Sequence, residues 1–461
     1  MRIIIIGAGV TGLAVAWKLA KDHEVVILEK RKVIGGIATT FKHQDFLLDF
    51  GPHKIYSLIP GILDEMKALL GDEATVIPKT SGVIIDGKRL DYPIKFTDLF
   101  LKLSPLTSFK LMFGFGIAFL LSFVNRKTPV SYADYFRKNF GVPAYNLVFK
   151  PIADKSWGNP ENLTAELAQK RVPFDGIFKL IKSMVMKDNK LSAENFYYPR
   201  QGFIRMSEIM LDHVTNNKGH LMLDAEVKNF SIENNKITSV EFQHEGKLKK
   251  LNADYVVSSA PITAMPAMFN APPEVMNAAS ELKFRSLLLV YVLVNKPKVM
   301  QDVWTFVPDK NFIFQRVSEQ KNFSQQMGPE NQTVLIAEIM CDYNDGLWNA
   351  PDAELYSKVI SDLTKGKFVN EGEASGFYIL KVKNIYPVYE IGYKERLSKV
   401  LGFTDKFENF ITLGRLGLFN YNNTDHCVDM AIWASNHIRS KKPISDWLET
   451  RKRFDEYVIV D

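Results

Sequence analysis

The stretch that decides the fold is residues 2–12, which read RIIIIGAGVTG. An apolar run that stops abruptly at glycine is typical of a buried parallel strand. The following residues, Leu13 to Ala20, have the apolar spacing of a helix. A G-x-G-x-x-G pattern between strand and helix predicts a dinucleotide-binding turn. In such a turn Gly7 permits the tight bend, Gly9 lets backbone approach a pyrophosphate, and Gly12 lets helix and strand pack closely.

A second strand and an acidic residue complete this unit. Glu24 to Leu28 is rich in β-branched residues, and Glu29 follows it about 20 residues beyond Gly7, the spacing of the carboxylate that binds ribose hydroxyls. The helix N-terminus offers unpaired N–H groups and a positive dipole end to phosphates. We therefore expect Thr11 and Glu29, with the three glycines, to contact the nucleotide.

The composition is that of an ordinary globular protein. The chain has 461 residues, 46 % of them apolar and 24 % charged, and a net charge of +6. These values exclude a disordered chain, a collagen-like fibre and a small disulfide scaffold. No Lys/Arg run is long enough to predict nucleic-acid binding. Two cysteines, Cys341 and Cys427, give neither a disulfide framework nor a zinc spacing, so we expect no metal and a cytoplasmic location.

The segment after Glu29 distinguishes flavin from nicotinamide. Lys30 and Arg31 are followed by Gly35-Gly36-Ile37-Ala38, which is similar to the FAD signature of the amine oxidase superfamily. The resemblance implies that Lys30, Gly36, Ile37 and Ala38 contact FAD. In the next segment, Asp49 to His53, a strand is expected to deliver backbone and the His53 imidazole to the isoalloxazine. The alternative for His53 is a turn histidine with its hydrogen bonds satisfied.

The resemblance extends over nearly the whole chain. The opening motif, Gly35-Gly36, the Ser258-Ser259-Ala260-Pro261 segment and a C-terminal Gly414-Arg415 motif together resemble the flavoprotein superfamily of amine oxidases, protoporphyrinogen oxidases and phytoene desaturases. UDP-galactopyranose mutases belong to it too. The resemblance implies an α/β fold, in which a Rossmann-like FAD-binding domain carries an inserted α+β substrate domain and a helical region.

The domain order expected from this resemblance is discontinuous. The FAD-binding domain is predicted at residues 1–93, 194–262 and 386–461, the helical substrate region at 94–193, and the substrate-domain strands at 263–385. Residues Val83 to Tyr92 predict a hairpin around Asp86-Gly87. Leu221 to Val227 is expected to be a resumed strand of the nucleotide domain, with Val227 at the FAD.

Several details resemble the mutases most closely. They are Gly51-Pro52-His53, Trp157-Gly158 followed by Arg171-Val172, Phe312 to Arg316, Tyr386-Pro387, and Arg415 followed by Tyr421. In the mutases two such arginines contact the substrate diphosphate. The resemblance implies catalytic-site roles for His53, Arg171, Arg316, Tyr386 and Tyr421. For each arginine taken alone, a surface or salt-bridge role remains the alternative.

The C-terminal motif predicts the start of a helix near the flavin. Asn422 to Asp425 has good capping residues, and the helix is expected from about His426 to His437. Its positive end, with Arg415 beside it, would favour negative charge on reduced flavin. Asp425 and His426 are therefore predicted FAD contacts. The alternative is that they form only the helix cap and a packed turn.

Two functions remain open. In the first, which the mutase resemblance implies, N5 of reduced FAD acts on a nucleotide-diphosphate sugar and the ring recloses in another size. In the second, an FAD-dependent oxidoreductase of the protoporphyrinogen oxidase, amine oxidase or desaturase type takes hydride from an apolar or amine substrate. Both predict a small-molecule substrate and FAD.

The longest later apolar run is Leu111 to Val124. Its 14 residues fall short of the ~20 that a membrane-spanning helix needs. We expect either a core helix pair or, as the resemblance to protoporphyrinogen oxidases implies, a patch that makes peripheral contact with the inner face of a membrane. Lys102, Lys110, Arg126 and Lys127 flank the run and would suit anionic headgroups.

Overall fold

The structure, a computed structural model, describes residues 1–92, 94, 98, 101–124, 127–172 and 194–459. The predicted flanking residue Arg126 and the last part of the predicted helical region, residues 173–193, lie outside the described residues.

The strands in the described ranges are given in chain order. They are β1 (Arg2–Ile6), β2 (Glu24–Leu28), β3 (Thr40–His43), β4 (Phe46–Asp49), β5 (Ala74–Pro78), β6 (Ser81–Ile85), β7 (Lys88–Asp91), β8 (Asn195–Pro199), β9 (His220–Met222), β10 (Ala225–Glu233), β11 (Lys236–His244), β12 (Lys247–Asn252), β13 (Tyr255–Ser258), β14 (Phe284–Val294), β15 (Trp304–Phe306), β16 (Arg316–Glu319), β17 (Thr333–Cys341), β18 (Ala374–Pro387) and β19 (Phe410–Thr412).

The α-helices of the same ranges are α1 (Val10–Leu19), α2 (Ile62–Leu70), α3 (Pro105–Val124), α4 (Tyr132–Ala144), α5 (Lys150–Ser156), α6 (Ala165–Arg171), α7 (Ile204–Asn216), α8 (Met265–Met268), α9 (Pro273–Ser280), α10 (Asp352–Lys365), α11 (Tyr393–Thr404), α12 (Gly414–Gly417), α13 (Thr424–Ser440) and α14 (Ile444–Lys452).

A parallel sheet of order β19-β13-β1-β2-β9 forms the core of the nucleotide-binding part. Its central strands are buried on both faces, as the isoleucine run predicts. Helices α1, α7 and α13 cover one face, and the antiparallel sheet β10-β11-β12 covers the other. The predicted α/β fold with a Rossmann-like unit is confirmed.

A seven-stranded sheet of order β18-β14-β17-β16-β15-β6-β7 forms the second part. Strands β14 and β17 lie within the segment 263–385, where the substrate-domain strands were predicted. The hairpin β6–β7 also forms, but β6 pairs with β15, with Trp304 opposite Ser81. The hairpin therefore belongs to this sheet, and the domain boundary near residue 93 stays a prediction. The deciding contact is a pairing with residues more than 200 positions away, which local sequence does not encode.

The expected single strand Leu221 to Val227 is divided. β9 ends at Met222 in the parallel sheet, and β10 begins at Ala225 in the three-stranded sheet. Between them Asp224 has φ 51°, a left-handed conformation that breaks a strand. The expectation of one continuous strand is wrong, and Val227 lies on β10.

The apolar run belongs to a longer helix than expected. α3 begins at Pro105, where the Ser104 hydroxyl accepts a hydrogen bond from the Thr107 N–H at 3.2 Å. It has 20 residues and, among the described residues, is the one helix with the length and composition to cross a membrane. Only 22 % of its most apolar window is buried. The sequence argument that this segment is too short to span a membrane is therefore wrong. The expectation of a core helix pair is wrong as well.

Candidate active site

The glycine turn joins β1 to α1 by close backbone contacts. Gly7 has φ +98°, and a Cβ atom on Gly12 would lie 1.9 Å from the Gly7 carbonyl oxygen. Gly9 is the N-cap of α1 and makes no side-chain cap hydrogen bond. The first-turn N–H groups of α1 are thus left for a phosphate, and the positive end of the helix dipole adds to the attraction.

The carboxylate of Glu29 is held at the end of β2 by the backbone. Its Oε2 accepts from the Ala8 N–H and its Oε1 from the Arg31 N–H, both at 2.8 Å. Each oxygen has a further lone pair. A buried carboxylate oriented in this way can accept from two ribose hydroxyls, which fits the role predicted for Glu29.

The Gly35-Gly36 segment lies directly on the glycine turn. The Gly35 N–H donates to the Ala8 carbonyl oxygen at 2.8 Å, and a Cβ atom on Gly36 would lie 3.2 Å from the Gly9 Cα. Only glycine permits this approach of two backbones. Nearby, Ala38 is buried, Ile37 is half-buried and Lys30 is exposed.

Two further predicted contacts lie beside this cradle. The Ala225 N–H, at the start of β10, donates to the Glu29 carbonyl oxygen at 2.9 Å. Val227 lies two residues further along β10 and is buried. Thr11 is buried, and a Cβ atom on Gly414 would lie 2.6 Å from its hydroxyl oxygen. The two glycine segments, Glu29 and the uncapped helix end have the donors, acceptors and backbone access that the pyrophosphate and ribose of FAD require.

The C-terminal Gly414-Arg415 motif lies beside the same glycine turn. The Arg415 guanidinium donates through Nε to the Asn422 carbonyl oxygen at 2.9 Å and through Nη2 to the same oxygen. Helix α13 starts at Thr424 with Asn423 as its N-cap, slightly earlier than predicted. A cavity of 540 Å³ borders this helix end, and Lys54, Tyr56, Asp425, His426, Arg453 and Tyr457 are among its lining residues.

Asp425 and His426 have protein partners in this region. The Asn423 N–H donates to His426 Nδ1 at 3.0 Å, and the Ser57 hydroxyl donates to the Asp425 carboxylate at 2.8 Å. The His426 ring also stacks on Tyr457 at 4.4 Å. Burial lowers the pKa of His426, so the ring stays neutral at physiological pH. These contacts give both residues the capping and packing roles that the sequence left as the alternative, and their FAD contact stays a prediction.

His53 is a neutral acceptor within the site. Its Nδ1 lies 3.0 Å from the Gly51 carbonyl oxygen and its ring lies against Phe203. Because a carbonyl only accepts, Nδ1 carries the proton and Nε2 is left as an acceptor. Burial, with the nearby Arg415 charge as the next cause, lowers the pKa of His53 to about 4.

The segment that carries His53 is anchored by Asp49. The Asp49 carboxylate accepts from the hydroxyls of Tyr198 and Thr40, both at 2.5 Å, and its carbonyl oxygen accepts from the Tyr291 hydroxyl at 2.7 Å. Burial raises the pKa of Asp49 to about 6. Tyr198 and Tyr291 come from β8 and β14, so the carboxylate and the carbonyl oxygen of Asp49 together join β8 to the seven-stranded sheet.

Three of the predicted catalytic-site residues, Arg171, Tyr386 and Tyr421, form one cluster with Trp157 and Arg415. The Arg171 guanidinium carbon lies 5.2 Å from the Trp157 ring centre and 5.1 Å from that of Tyr421. Trp157 Nε1 donates to the Tyr421 hydroxyl. The Tyr386 ring stacks beside Tyr421 at 6.1 Å, and the Arg415 guanidinium carbon lies 5.3 Å from the Tyr386 ring centre. The fold thus brings the helical region, β18 and the C-terminal motif together.

Arg316 has a different environment. Its Nε and Nη2 donate to the two carboxylate oxygens of Glu338 at 2.6 and 2.8 Å. The Glu338 side chain is buried, and its carboxylate lies within 4 Å of where a Cβ atom of Gly51 would be. Arg316 therefore forms the salt bridge that the sequence left as an alternative, beside the His53 segment.

Glu338 is the residue that sequence reasoning missed. It is the one charged side chain in the apolar run TVLIAEIMC of β17. An acidic residue in the middle of a fully buried strand requires a partner, and this signal could have identified it.

Comparisons with known proteins agree with this geometry. The sequence profile described as "Flavin containing amine oxidoreductase" matches residues 10–379. Reduced UDP-galactopyranose mutase superposes with a TM-score of 0.81 at 18 % identity, over 96 % of this chain and 94 % of that chain. A structure described as a protoporphyrinogen oxidase from Exiguobacterium sp. 255-15 has a TM-score of 0.73 at 17 % identity, over 96 % and 99 % of the two chains. At such identities these structures share the fold.

A short match links the chain to a curated relative. The 4,4'-diapophytoene desaturase (4,4'-diaponeurosporene-forming) of Staphylococcus haemolyticus (strain JCSC1435) is 51 % identical over 53 residues, which are 11 % of this chain and 11 % of that protein. The match thus spans about a tenth of the relative. Since the family profile covers most of the chain and the cradle fits FAD, this protein is an FAD-dependent enzyme that belongs to the flavin-containing amine oxidoreductase family.

Proposed function

We propose that this enzyme, with its flavin reduced, isomerises a nucleotide-diphosphate sugar. The observation that supports this most directly is the cluster of Arg171, Trp157, Tyr386 and Tyr421. A guanidinium held between two aromatic rings stays charged and keeps a fixed orientation. Its planar N–H groups match the oxygens of a diphosphate.

The tyrosines add neutral donors to this site. Burial raises the pKa of Tyr421, so its hydroxyl keeps its proton. Because that oxygen accepts from Trp157 Nε1, its proton remains for a substrate oxygen. The cluster therefore combines one permanent charge with a directed hydroxyl, as a diphosphate ester requires.

The role proposed for Arg316 differs from that of Arg171. Two of its three nitrogens bond to Glu338, so much of its charge is neutralised within the protein. We assign the diphosphate chiefly to Arg171. Arg316 helps to hold the His53 segment through Glu338.

Reduced FAD, when bound, supplies an electron-rich N5 toward the anomeric carbon of the sugar. The chain binds the diphosphate leaving group through Arg171 and provides His53 Nε2 as a neutral acceptor. The N-terminus of α13 and the Arg415 charge favour the negative charge of reduced flavin.

Exchange between sugar ring forms tests this proposal. Purified enzyme is reduced with dithionite and mixed with UDP-galactopyranose, and pyranose and furanose forms are separated by chromatography. We expect exchange only after reduction, with no net redox change. Absence of exchange together with absence of UDP binding by calorimetry would remove the proposal.

A second candidate is an oxidoreductase that takes hydride from an apolar substrate. The exposed apolar helix α3 and the short match to a diapophytoene desaturase favour it. The test is anaerobic mixing of the oxidised enzyme with a long-chain polyene or an amine. Rapid bleaching of the flavin absorbance supports this candidate, and an unchanged spectrum contradicts it.

A further inference from the structure

We propose that helix α3 docks this protein on the surface of an anionic lipid bilayer, lying along the membrane rather than crossing it. The inference is independent of which substrate the enzyme takes, because it depends only on the surface of α3 and its neighbours.

The outward face of α3 is apolar and exposed. The most exposed of its large side chains are Leu106 (64 %), Phe109 (64 %), Phe113 (62 %), Leu120 (66 %), Phe123 (62 %) and Val124 (81 %). Exposed Leu101 and Val130, just before and after the helix, extend the surface. A contiguous apolar surface of this kind on a folded protein marks a site that is covered by a partner or a lipid phase.

The opposite face of α3 is fixed to the protein. A Cβ atom on Gly114 would lie 2.4 Å from Pro143 Cδ, and one on Gly141 would lie 2.4 Å from the Gly114 carbonyl oxygen. These contacts join the middle of α3 to α4, and Leu111 and Ala118 are buried on the same side. A helix that crossed the bilayer would lose this packing. A helix held along one side can insert only its other face into the interface.

The charges around α3 indicate that a bilayer, rather than a second copy of the chain, covers its apolar face. Between Asp98 and Asp134 the sequence has no acidic residue but four basic ones, Lys102, Lys110, Arg126 and Lys127. In a twofold-symmetric dimer this surface would face itself, so that like charges would oppose one another. Lys102 is paired with Asp98 at 3.1 Å, whereas Lys110 and Lys127 are exposed. Anionic headgroups attract these two exposed lysines while the apolar face is buried.

Vesicle sedimentation tests the proposal with the FAD-loaded full chain. We expect it to bind vesicles of phosphatidylcholine with 30 mol % phosphatidylglycerol, about tenfold or more better than pure phosphatidylcholine, and to be released by salt. The triple change Phe109→Gln, Phe113→Gln and Leu120→Gln should weaken binding about 100-fold. The single change Lys110→Glu, which reverses one exposed charge, should weaken it about 30-fold.

Matched controls are available on the distant strand β12, where Leu248 and Lys247 are exposed. Leu248→Gln and Lys247→Glu should leave vesicle binding unchanged, and bound flavin reports that each variant is folded. Failure of the wild type to bind either vesicle overturns the proposal, as does equal binding by the triple variant. A dimer in solution that the triple change converts to a monomer also overturns it, because the occupant is then a second copy.

Discussion

The guanidinium carbon of Arg171 lies 5.1 Å from the ring centre of Tyr421, although the two residues belong to distant segments of the chain. Trp157 completes the contact by donating to the Tyr421 hydroxyl. Because Trp157 and Tyr421 are uncharged, Arg171 supplies the permanent positive charge of this unit. The consequences can be measured without knowing the substrate sugar.

Arg171→Gln should weaken UDP binding about 100-fold, since removal of one partner of a desolvated charge contact costs about 2–5 kcal/mol. FAD content should not change, because Arg171 contacts Trp157 and Tyr421, which lie outside the two glycine segments. Calorimetry with UDP and the flavin absorbance of the purified variant give the two values. Arg137→Gln is the control, as this arginine pairs with Glu161 on the surface and should bind UDP like the wild type. Equal affinity in the two variants would contradict the assignment.

Gly12→Ala should abolish FAD binding. Its Cβ atom would lie 1.9 Å from the Gly7 carbonyl oxygen, a clash with backbone that only a change in the turn can relieve. The measurement is bound flavin per protein after purification. Gly402→Ala is the matched control, because a Cβ atom there meets nothing within 4 Å on helix α11. Alanine should raise the stability of that helix by up to about 1 kcal/mol. Full flavin content in the Gly12 variant would refute this account of the turn.

Glu338→Gln should lower the free energy of unfolding by about 3–5 kcal/mol, because it leaves the Arg316 charge without its buried partner. Replacement of both residues by methionine should restore most of this loss, since two apolar side chains need no charge compensation. Thermal or denaturant unfolding provides the comparison. Glu354→Gln, in an exposed pair with Lys358, should cost less than about 1 kcal/mol. An equal loss of unfolding free energy at both positions would contradict the prediction, because the Arg316–Glu338 pair would then contribute no more than an exposed pair.

Asp49 should make stability fall as pH rises from about 4 to about 6. Burial raises the pKa of this carboxyl from 3.8 to about 6 in the folded protein, so in that window the folded state holds a proton that the unfolded chain has released. The free energy of unfolding therefore decreases with pH through the window, by about 3 kcal/mol at its upper end.

The comparison of wild type with Asp49→Asn isolates this effect, because asparagine does not titrate. The wild type should lose about 3 kcal/mol relative to the variant between pH 4 and pH 7. His53, whose pKa is lowered to about 4, contributes in the opposite direction between its folded value and 6.5. Both proteins contain His53, so its contribution cancels in the difference. A difference that does not vary with pH would contradict the raised pKa of Asp49.

Local sequence was sufficient for the features that depend on neighbouring residues. The β1–turn–α1 unit, the hairpin β6–β7 and the capped start of α13 were predicted, because turn glycines, capping side chains and apolar period act over a few residues. The resemblance extended this to the family, the cofactor and the residues of the Arg171 cluster.

Tertiary structure alone decided how distant segments meet. It placed the hairpin in the second sheet, left one face of α3 in solvent, and paired Arg316 with Glu338. Each of these depends on contacts between separate elements, and backbone pairing and burial are set by the whole fold rather than by local preference. The amino-acid sequence by itself determined a nucleotide-binding turn and its chemistry, whereas only the folded chain determined which charges remain to meet a substrate or a membrane.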